Sequence, residues 1–284
     1  MATSELLLTT AGNESAAQNA TGARYSLLVA RNDREVAAAQ RLRYRVFAEE
    51  MGAHLHTSVP ESDVDSFDEF CDHLVVRHDN TGEIVGTYRM LPPDRARAAG
   101  KLYSETEFEV GALTGLRDSL VETGRSCVHP DHRTGAVVGL VWAGIARYMH
   151  LSGRRWLAGC ASVPLADGGE TAAGVWDTVS ARHLAPEEYR VHPLRPWPVD
   201  EAPRPTRAVV PPLLRGYLRL GAWVCGRPAL DADFGVADFF VLLGMDQIDP
   251  RYLKFFLGDG ASPARSEQTP RSPRPYRDSG GEAW

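Results

Sequence analysis

Between residues 33 and 258, short apolar runs alternate with stretches of helical periodicity, and no shift in composition divides them. Strands that take turns with helices need a sheet with helices laid against it, so the chain reads as one α/β domain. Val36, Ala39, Leu42, Val46 and Phe47 recur at helical spacing and predict a helix over about residues 33–52, with Asp33 as N-cap and Gly52 as stop. Residues 73–77 and 83–91 read as strands joined by a turn at Asp79-Asn-Thr-Gly82. Residues 120–128 predict a further strand, then a loop, His129-Pro-Asp-His-Arg-Thr-Gly135, and an apolar helix from 136 to about 152. Residues 156–160 give another short strand. Eight prolines between 186 and 212 mark an extended excursion. Residues 213–225 predict a helix, 239–243 a fully buried strand, and 250–258 a short closing helix.

Composition narrows the function classes. At 284 residues, 43% hydrophobic and 24% charged, the chain has the make-up of a globular protein with a sizeable core. No apolar run approaches the ~20 residues of a spanning helix. Leu6-Leu7-Leu8 is too short for a secretory segment, so a cytoplasmic location is expected. A net charge of −6 argues against a bulk nucleic-acid binder. The cysteines Cys71, Cys127, Cys160 and Cys225 form no Cys-x-x-Cys pair, and reduced thiols are expected. Residues 1–23 read as a disordered leader and 24–260 as the domain. Residues 261–284, with four each of Pro, Arg and Ser, read as a disordered tail.

The strand–loop–helix over 122–148 is the first place where chemistry could sit. A loop feeding a helix N-terminus offers unpaired N–H groups and a positive dipole end, which suits a phosphate; an ordinary strand-to-helix turn has the same pattern. The segment resembles the donor loop of the GCN5-related N-acyltransferase fold, in which a phosphopantetheine-bearing donor lies between two splayed strands. That resemblance implies a mixed central sheet flanked by helices, here with a Pro-rich insertion, and donor contacts at Cys127, Val128, Arg133 and Gly135. The run Arg133-Thr-Gly135-Ala136 is compressed relative to the family's longer glycine motif, which fits a donor other than free acyl-CoA.

A second constellation lies upstream: Arg43-Tyr-Arg-Val-Phe47, the acids Asp65 and Asp68, Arg89, and Glu122-x-x-Arg125. Their order and spacing resemble the acyl-homoserine-lactone synthases. Longer blocks are more specific. Arg43-Tyr-Arg-Val-Phe-Ala-Glu-Glu-Met-Gly52, Asp68-Glu-Phe-Cys-Asp-His-Leu74, Ile84-Val-Gly-Thr-Tyr-Arg89 and Gly124-Arg-Ser-Cys-Val-His-Pro130 look like the ornithine N-alpha-acyltransferases. Two later blocks, 213–226 and 237–243, fit the same group. The resemblance covers about residues 24–258. It implies transfer of a 3-hydroxyacyl chain from the phosphopantetheine thioester of acyl carrier protein to the α-amine of ornithine, giving lyso-ornithine lipid, with no other cofactor bound. Acylation of another amino acid, or lactone synthesis from S-adenosylmethionine, stays open, although the synthases' Trp after Arg-x-x-x-Phe is missing here. So does a non-catalytic lipid- or carrier-binding protein.

Roles follow from the resemblance. Glu122, Arg125 and Arg89 would be catalytic, with Glu122 taking the amine's proton directly or through water. Glu122 and Arg125 are three apart, so on a regular strand they face opposite ways, and a β-bulge is needed to bring them together. A structural ion pair is the plainer reading of the two. Arg43, Phe47, Asp65 and Asp68 would bind substrate. The run 61–72 holds six acids and no base, and reads either as a cation-binding lip for ornithine or as a solvated loop. His54-Leu-His56 beside it suggests no metal site. Cys127 reads as a buried thiol. The apolar blocks 137–142, 213–224 and 239–243 are core, parts of which would line an acyl tunnel. Arg215, Arg219 and Trp223 on one helix could rest peripherally on a membrane. Arg133, Arg147, Arg154 and Arg155 would dock the acidic carrier protein.

Overall fold

The computed structural model describes residues 5–9, 24–249 and 251–252. Strands β1 (Glu5–Thr9) and β2 (Tyr25–Val29) precede helix α1 (Asp33–Tyr44), which runs on as a π-helical turn, Arg45–Glu50. Then come β3 (Asp72–His78), β4 (Ile84–Leu91), α2 (Pro93–Ala99), β5 (Phe108–Glu109) and β6 (Leu120–Val128). Helix α3 (Gly135–Ser152), β7 (Trp156–Pro164), α4 (Glu170–Arg182) and β8 (His192–Pro193) follow. The described chain closes with α5 (Pro212–Arg219), β9 (Trp223–Val224), β10 (Ala229–Asp231) and β11 (Val236–Gly244).

The main sheet has the order β1-β2-β3-β4-β6-β7-β11-β10, with β9 also on β11; β5 and β8 form a separate pair. All its neighbours are antiparallel except β6 and β7, which α3 joins as a parallel crossover. Alternate strand residues serve opposite faces. Leu27, Val29, Leu74, Val76 and Val121 pack with Val137, Val141, Ile145 and Met149 of α3. Leu28 and Val75, one residue out of step, pack with Ala39, Leu42, Val46 and Phe47. The sheet is thus a mixed layer between helices, as expected. Burying each Val, Leu or Ile in these layers contributes about 1.5–3 kcal/mol. Gly144 lets α3 press close, since a β-carbon there would sit 2.1 Å from Leu27 Cδ2.

Some expectations change. Asn32, not Asp33, caps α1, its side chain accepting from the Glu35 N–H at 3.0 Å. Residues 1–23 are not wholly a disordered leader: Leu6-Leu7-Leu8 lies in β1, which gains backbone partners along β2. The helix expected over 213–225 ends at Arg219. Gly221 takes φ +95°, and Trp223 belongs to a buried strand on β11. Trp223 therefore shares no helical face with Arg215 and Arg219, which removes the peripheral membrane surface built on the three. Helices α2 and α4 carry little sequence signal: α2 is short, and α4 is largely small residues with little apolar patterning. The tail 261–284 and most of the closing helix 250–258 lie outside the described residues. Among those residues, no helix is long and apolar enough to cross a membrane.

Candidate active site

Parallel pairing of β6 and β7 runs from Leu120↔Trp156 to Thr123↔Gly159 and then stops. Beyond that point β6 continues on β4 and β7 on β11, so the two strands part into a V. The last contact is tight. A β-carbon on Gly159 would lie 2.4 Å from the Thr123 carbonyl oxygen, so only glycine lets the ladder close before it opens.

The needed bulge is present at the mouth of the V. Thr87 pairs with Cys127 and Arg89 with Gly124, so Arg125 and Ser126 face Tyr88 alone. Arg125 adopts φ +52°, a left-handed conformation that costs a non-glycine residue about 1–3 kcal/mol. The extra residue turns Arg125 to the same side as Glu122, and both line a cavity of about 480 Å³. Other walls come from Phe47, Tyr88, Arg89, Tyr103 and Leu213. Tyr88 packs in the cluster on the α3 face, whereas Phe47 packs beside α1. The cavity therefore draws on both faces of the sheet where the strands splay.

Glu122 is buried. Its carboxylate accepts the Tyr103 and Ser104 N–H groups at 2.5 and 2.8 Å, at the start of the 3-10 turn Tyr103–Thr106. Burial raises its pKa above the usual carboxylate range, against the opposing pull of those hydrogen bonds and of Arg89. Each oxygen keeps a lone pair beyond its amide bond, and the raised proton affinity makes it a better base than a surface carboxylate.

Behind the wall lies an ion network. Arg43, fully buried, donates to Asp68 at 2.9 and 2.6 Å, and its Nε lies 2.9 Å from Asp63. Arg89 reaches Asp65 at 2.6 Å and Asp68 at 2.9 Å. Arg125 reaches Asp63 at 3.1 Å and Asp65 at 3.2 Å. Three arginines thus meet three aspartates in a closed set. The Arg43 and Arg89 guanidiniums hold the Asp68 carboxyl well below its ordinary range despite its burial. This overturns both expectations for the acidic run. Its inner acids are neither a free lip for ornithine nor solvated; they are occupied by arginine. Arg43, Asp65 and Asp68 lie off the cavity wall, while Arg89 and Arg125 lie on it. The Arg125 guanidinium also stands 4.9 Å over the Tyr103 ring and 5.1 Å over Phe234. Phe47, in the π-helical turn, meets Phe234 edge-on at 5.6 Å and does reach the cavity.

On the donor side, Cys127, Val128 and Arg133 line the cavity and Gly135 does not; it is the first residue of α3. Burial pushes the Cys127 thiol up to about 12, so it stays protonated. Arg133 forms a two-pronged pair with Glu50 at 2.6 and 2.7 Å. The expected arginine patch is divided. Arg154 and Arg155 follow the far end of α3, about 27 Å of helix away, and pair with Asp94 and Asp246. Of the apolar blocks 137–142, 213–224 and 239–243, only Leu213 reaches the cavity wall; most of the other apolar side chains are core.

Several site residues escaped sequence reasoning. Tyr103 covers both arginines and carries an amide to Glu122. The Tyr88 hydroxyl meets that of Tyr217 at 2.5 Å inside the protein. Asp238 sits in the otherwise apolar β11 and lines the cavity. An acid inside a fully buried strand was a readable signal.

Comparisons with known proteins agree with this geometry. Residues 42–143 match the acetyltransferase (GNAT) domain family. The chain is 38% identical over 255 residues to the L-ornithine N(alpha)-acyltransferase of Rhizobium meliloti (strain 1021), covering 81% of this chain and 83% of that protein. It is 35% identical over 253 residues to the protein of the same name from Agrobacterium fabrum (strain C58 / ATCC 33970), covering 81% and 84%. Among solved structures, the AHL synthase LasI superposes with a TM-score of 0.51 at 13% identity, over 86% of this chain and all of that one, which shows a shared fold. With that fold and that degree of identity over four-fifths of its length, the chain belongs to the L-ornithine N(alpha)-acyltransferase family and is an acyltransferase of the GNAT fold.

Proposed function

We propose that this protein transfers a 3-hydroxyacyl chain from the phosphopantetheine thioester of acyl carrier protein to the α-amine of L-ornithine, forming lyso-ornithine lipid. The observation that carries the reading is the V between β6 and β7, with Glu122 just inside its closed end and Arg125 turned beside it. A pantetheine arm laid along the open edge of β6 would find backbone N–H groups freed by the splay, and one of these would polarise the thioester carbonyl. The incoming amine must attack as a free base. Glu122 accepts its proton, directly or through water, as the carbon–nitrogen bond forms and the thiol leaves. Arg89 and Arg125 sit on the wall as fixed positive charge beside the tetrahedral oxyanion. Arg43, Asp63, Asp65 and Asp68 act through them as positioning residues, because the closed ion network fixes both guanidiniums. Arg133 and the short loop before α3 supply the donor's polar contacts, and Phe47 and Leu213 give the acyl chain apolar wall.

The donor is tested by giving the purified chain ornithine with either a 3-hydroxyacyl carrier-protein thioester or the matching acyl-CoA. The expected outcome is a kcat/KM at least tenfold higher with the carrier protein. Equal values for the two donors would overturn the carrier-protein assignment, and no N-acylornithine from either would overturn the function.

A further inference from the structure

A second group of acids, treated quite differently from the first, stands at the β7–β11–β10 side. Asp231 and Asp238 line the cavity there, and Glu107 stands beside Asp238 but off the wall. Asp238 is paired with Ser162 across β11 and β7, and is 2% exposed. Among the described residues, no arginine, lysine or histidine forms a direct ion pair with any of these three, although the Arg125 charge reaches Asp238. The Glu107 and Asp238 carboxyls meet each other, with Ser162 also on Asp238, and Glu107 Oε2 and Asp238 Oδ1 are buried without any other hydrogen-bond partner. Asp231 spends one carboxylate oxygen on the Asp233 and Phe234 N–H groups. Buried carboxylates left without a counter-charge are costly, and this chain shows at Asp63, Asp65 and Asp68 how fully it can neutralise them.

Position adds to the contrast. Along β7, Ala158, Cys160 and Ser162 share one sheet face. Glu122 pairs with Ala158 and Asp238 with Ser162, so Glu122 and Asp238 project from that same face at its two ends. Both line one cavity. Tyr103 connects them, with its amide on Glu122 and its hydroxyl bonded to Glu107.

Resting on the function proposed above, we infer that Asp238, with Glu107 behind it, receives the side-chain ammonium of the acceptor amino acid, and so selects a cationic acceptor. Asp238 Oδ1, buried on the cavity wall, offers an acceptor for one of the three N–H donors of an ammonium. Ornithine's two nitrogens are separated by four carbons, so one end can meet Glu122 while the other meets the acid pair. Burial and the neighbouring Asp238 push Glu107 up to about 10. Cys160 lies within 4.8 Å of both acids, and this trio could also be imagined around a metal ion. Burial keeps the Cys160 thiol well above its ordinary range, hence protonated and a poor ligand.

The test compares ornithine with norvaline, which has the same length and no side-chain amine, on wild type, Asp238→Asn and Glu107→Gln. Wild type is expected to favour ornithine at least 100-fold in kcat/KM, and each variant to raise the ornithine KM at least tenfold and pull the ratio towards one. The melting temperature of each variant is recorded beside its kinetics, so that loss of folding is told apart from loss of ornithine binding. Variants that retain the wild-type ratio while wild type acylates ornithine would overturn the inference and leave the acyltransfer reading intact. Wild type acylating norvaline as well as ornithine would do the same. Failure to acylate ornithine at all would remove the acyltransfer reading and the inference with it. A stoichiometric metal ion in the purified full chain, lost in both variants, would also overturn it.

Discussion

Glu122 carries two duties, and they can be separated. Its oxygens accept the Tyr103 and Ser104 amides, so Glu122→Gln places an N–H₂ group against one of those donors. That mismatch should cost about 1–3 kcal/mol of stability. Loss of the base should lower kcat by about 10²–10⁴-fold and remove the acid limb of the pH profile. A variant that melts lower yet turns over like wild type when folded would make Glu122 only an anchor for the Tyr103 turn. Asp68 behaves in the opposite sense. Its pKa is depressed, so the stability it contributes is complete above its ordinary 3.8 and is lost as pH falls below that value. Asp68→Asn should flatten that acid limb of the melting curve and cost about 3–5 kcal/mol, because Arg43 and Arg89, both buried, each lose one of their two aspartates. An unchanged Tm across pH 2–7 would contradict the network. These acids were legible as a cluster in the sequence. Their partners were not, since Arg43, Arg89 and Arg125 reach them only after α1, β4 and β6 are laid side by side.

The V between β6 and β7 is a property of paired strands rather than of one residue. Gly159→Ala would drive a β-carbon to 2.4 Å from the Thr123 carbonyl and force the ladder apart before its proper end. The expected outcome is a loss of about 1–3 kcal/mol in stability together with a raised donor KM. A variant with unchanged Tm and donor KM would show that the V does not depend on this contact. At this scale the sequence was most readable where apolar periodicity was strong. Strand β6 has the bounds its residues suggested, and α3 differs by one residue. The odd spacing of Glu122 and Arg125 even called for the bulge that Arg125 supplies at φ +52°. Reading failed where packing overrides local pattern. The apolar run after α5 looked helical to Cys225, yet Gly221 breaks it and β11 takes Trp223-Val224 as a strand.

Across the whole molecule, the cavity exists because segments far apart in sequence converge on one opening in the sheet. Asp238 meets Glu107 from 131 positions away, and Phe234 caps Phe47 from beyond the proline-rich excursion. Neither meeting can be read from spacing, since both follow from the strand order that sets β11 beside β7. Family resemblance carried across these gaps because long blocks retain the topology that single motifs do not reveal. Two acid clusters differ in how they are treated: Asp63, Asp65 and Asp68 lie behind the cavity wall and are closed by arginines, whereas Asp238 lies on the wall and is the one proposed to meet a cation. The most direct measurement is the position of the new amide bond. Purified protein, 3-hydroxyacyl carrier-protein thioester and ornithine labelled with ¹⁵N at the α-nitrogen are mixed, and the product is fragmented by mass spectrometry. The account expects the acyl group on the labelled nitrogen, with one carrier thiol released per amide formed. An acyl group on the δ-nitrogen, or thiol release without any amide, would contradict it.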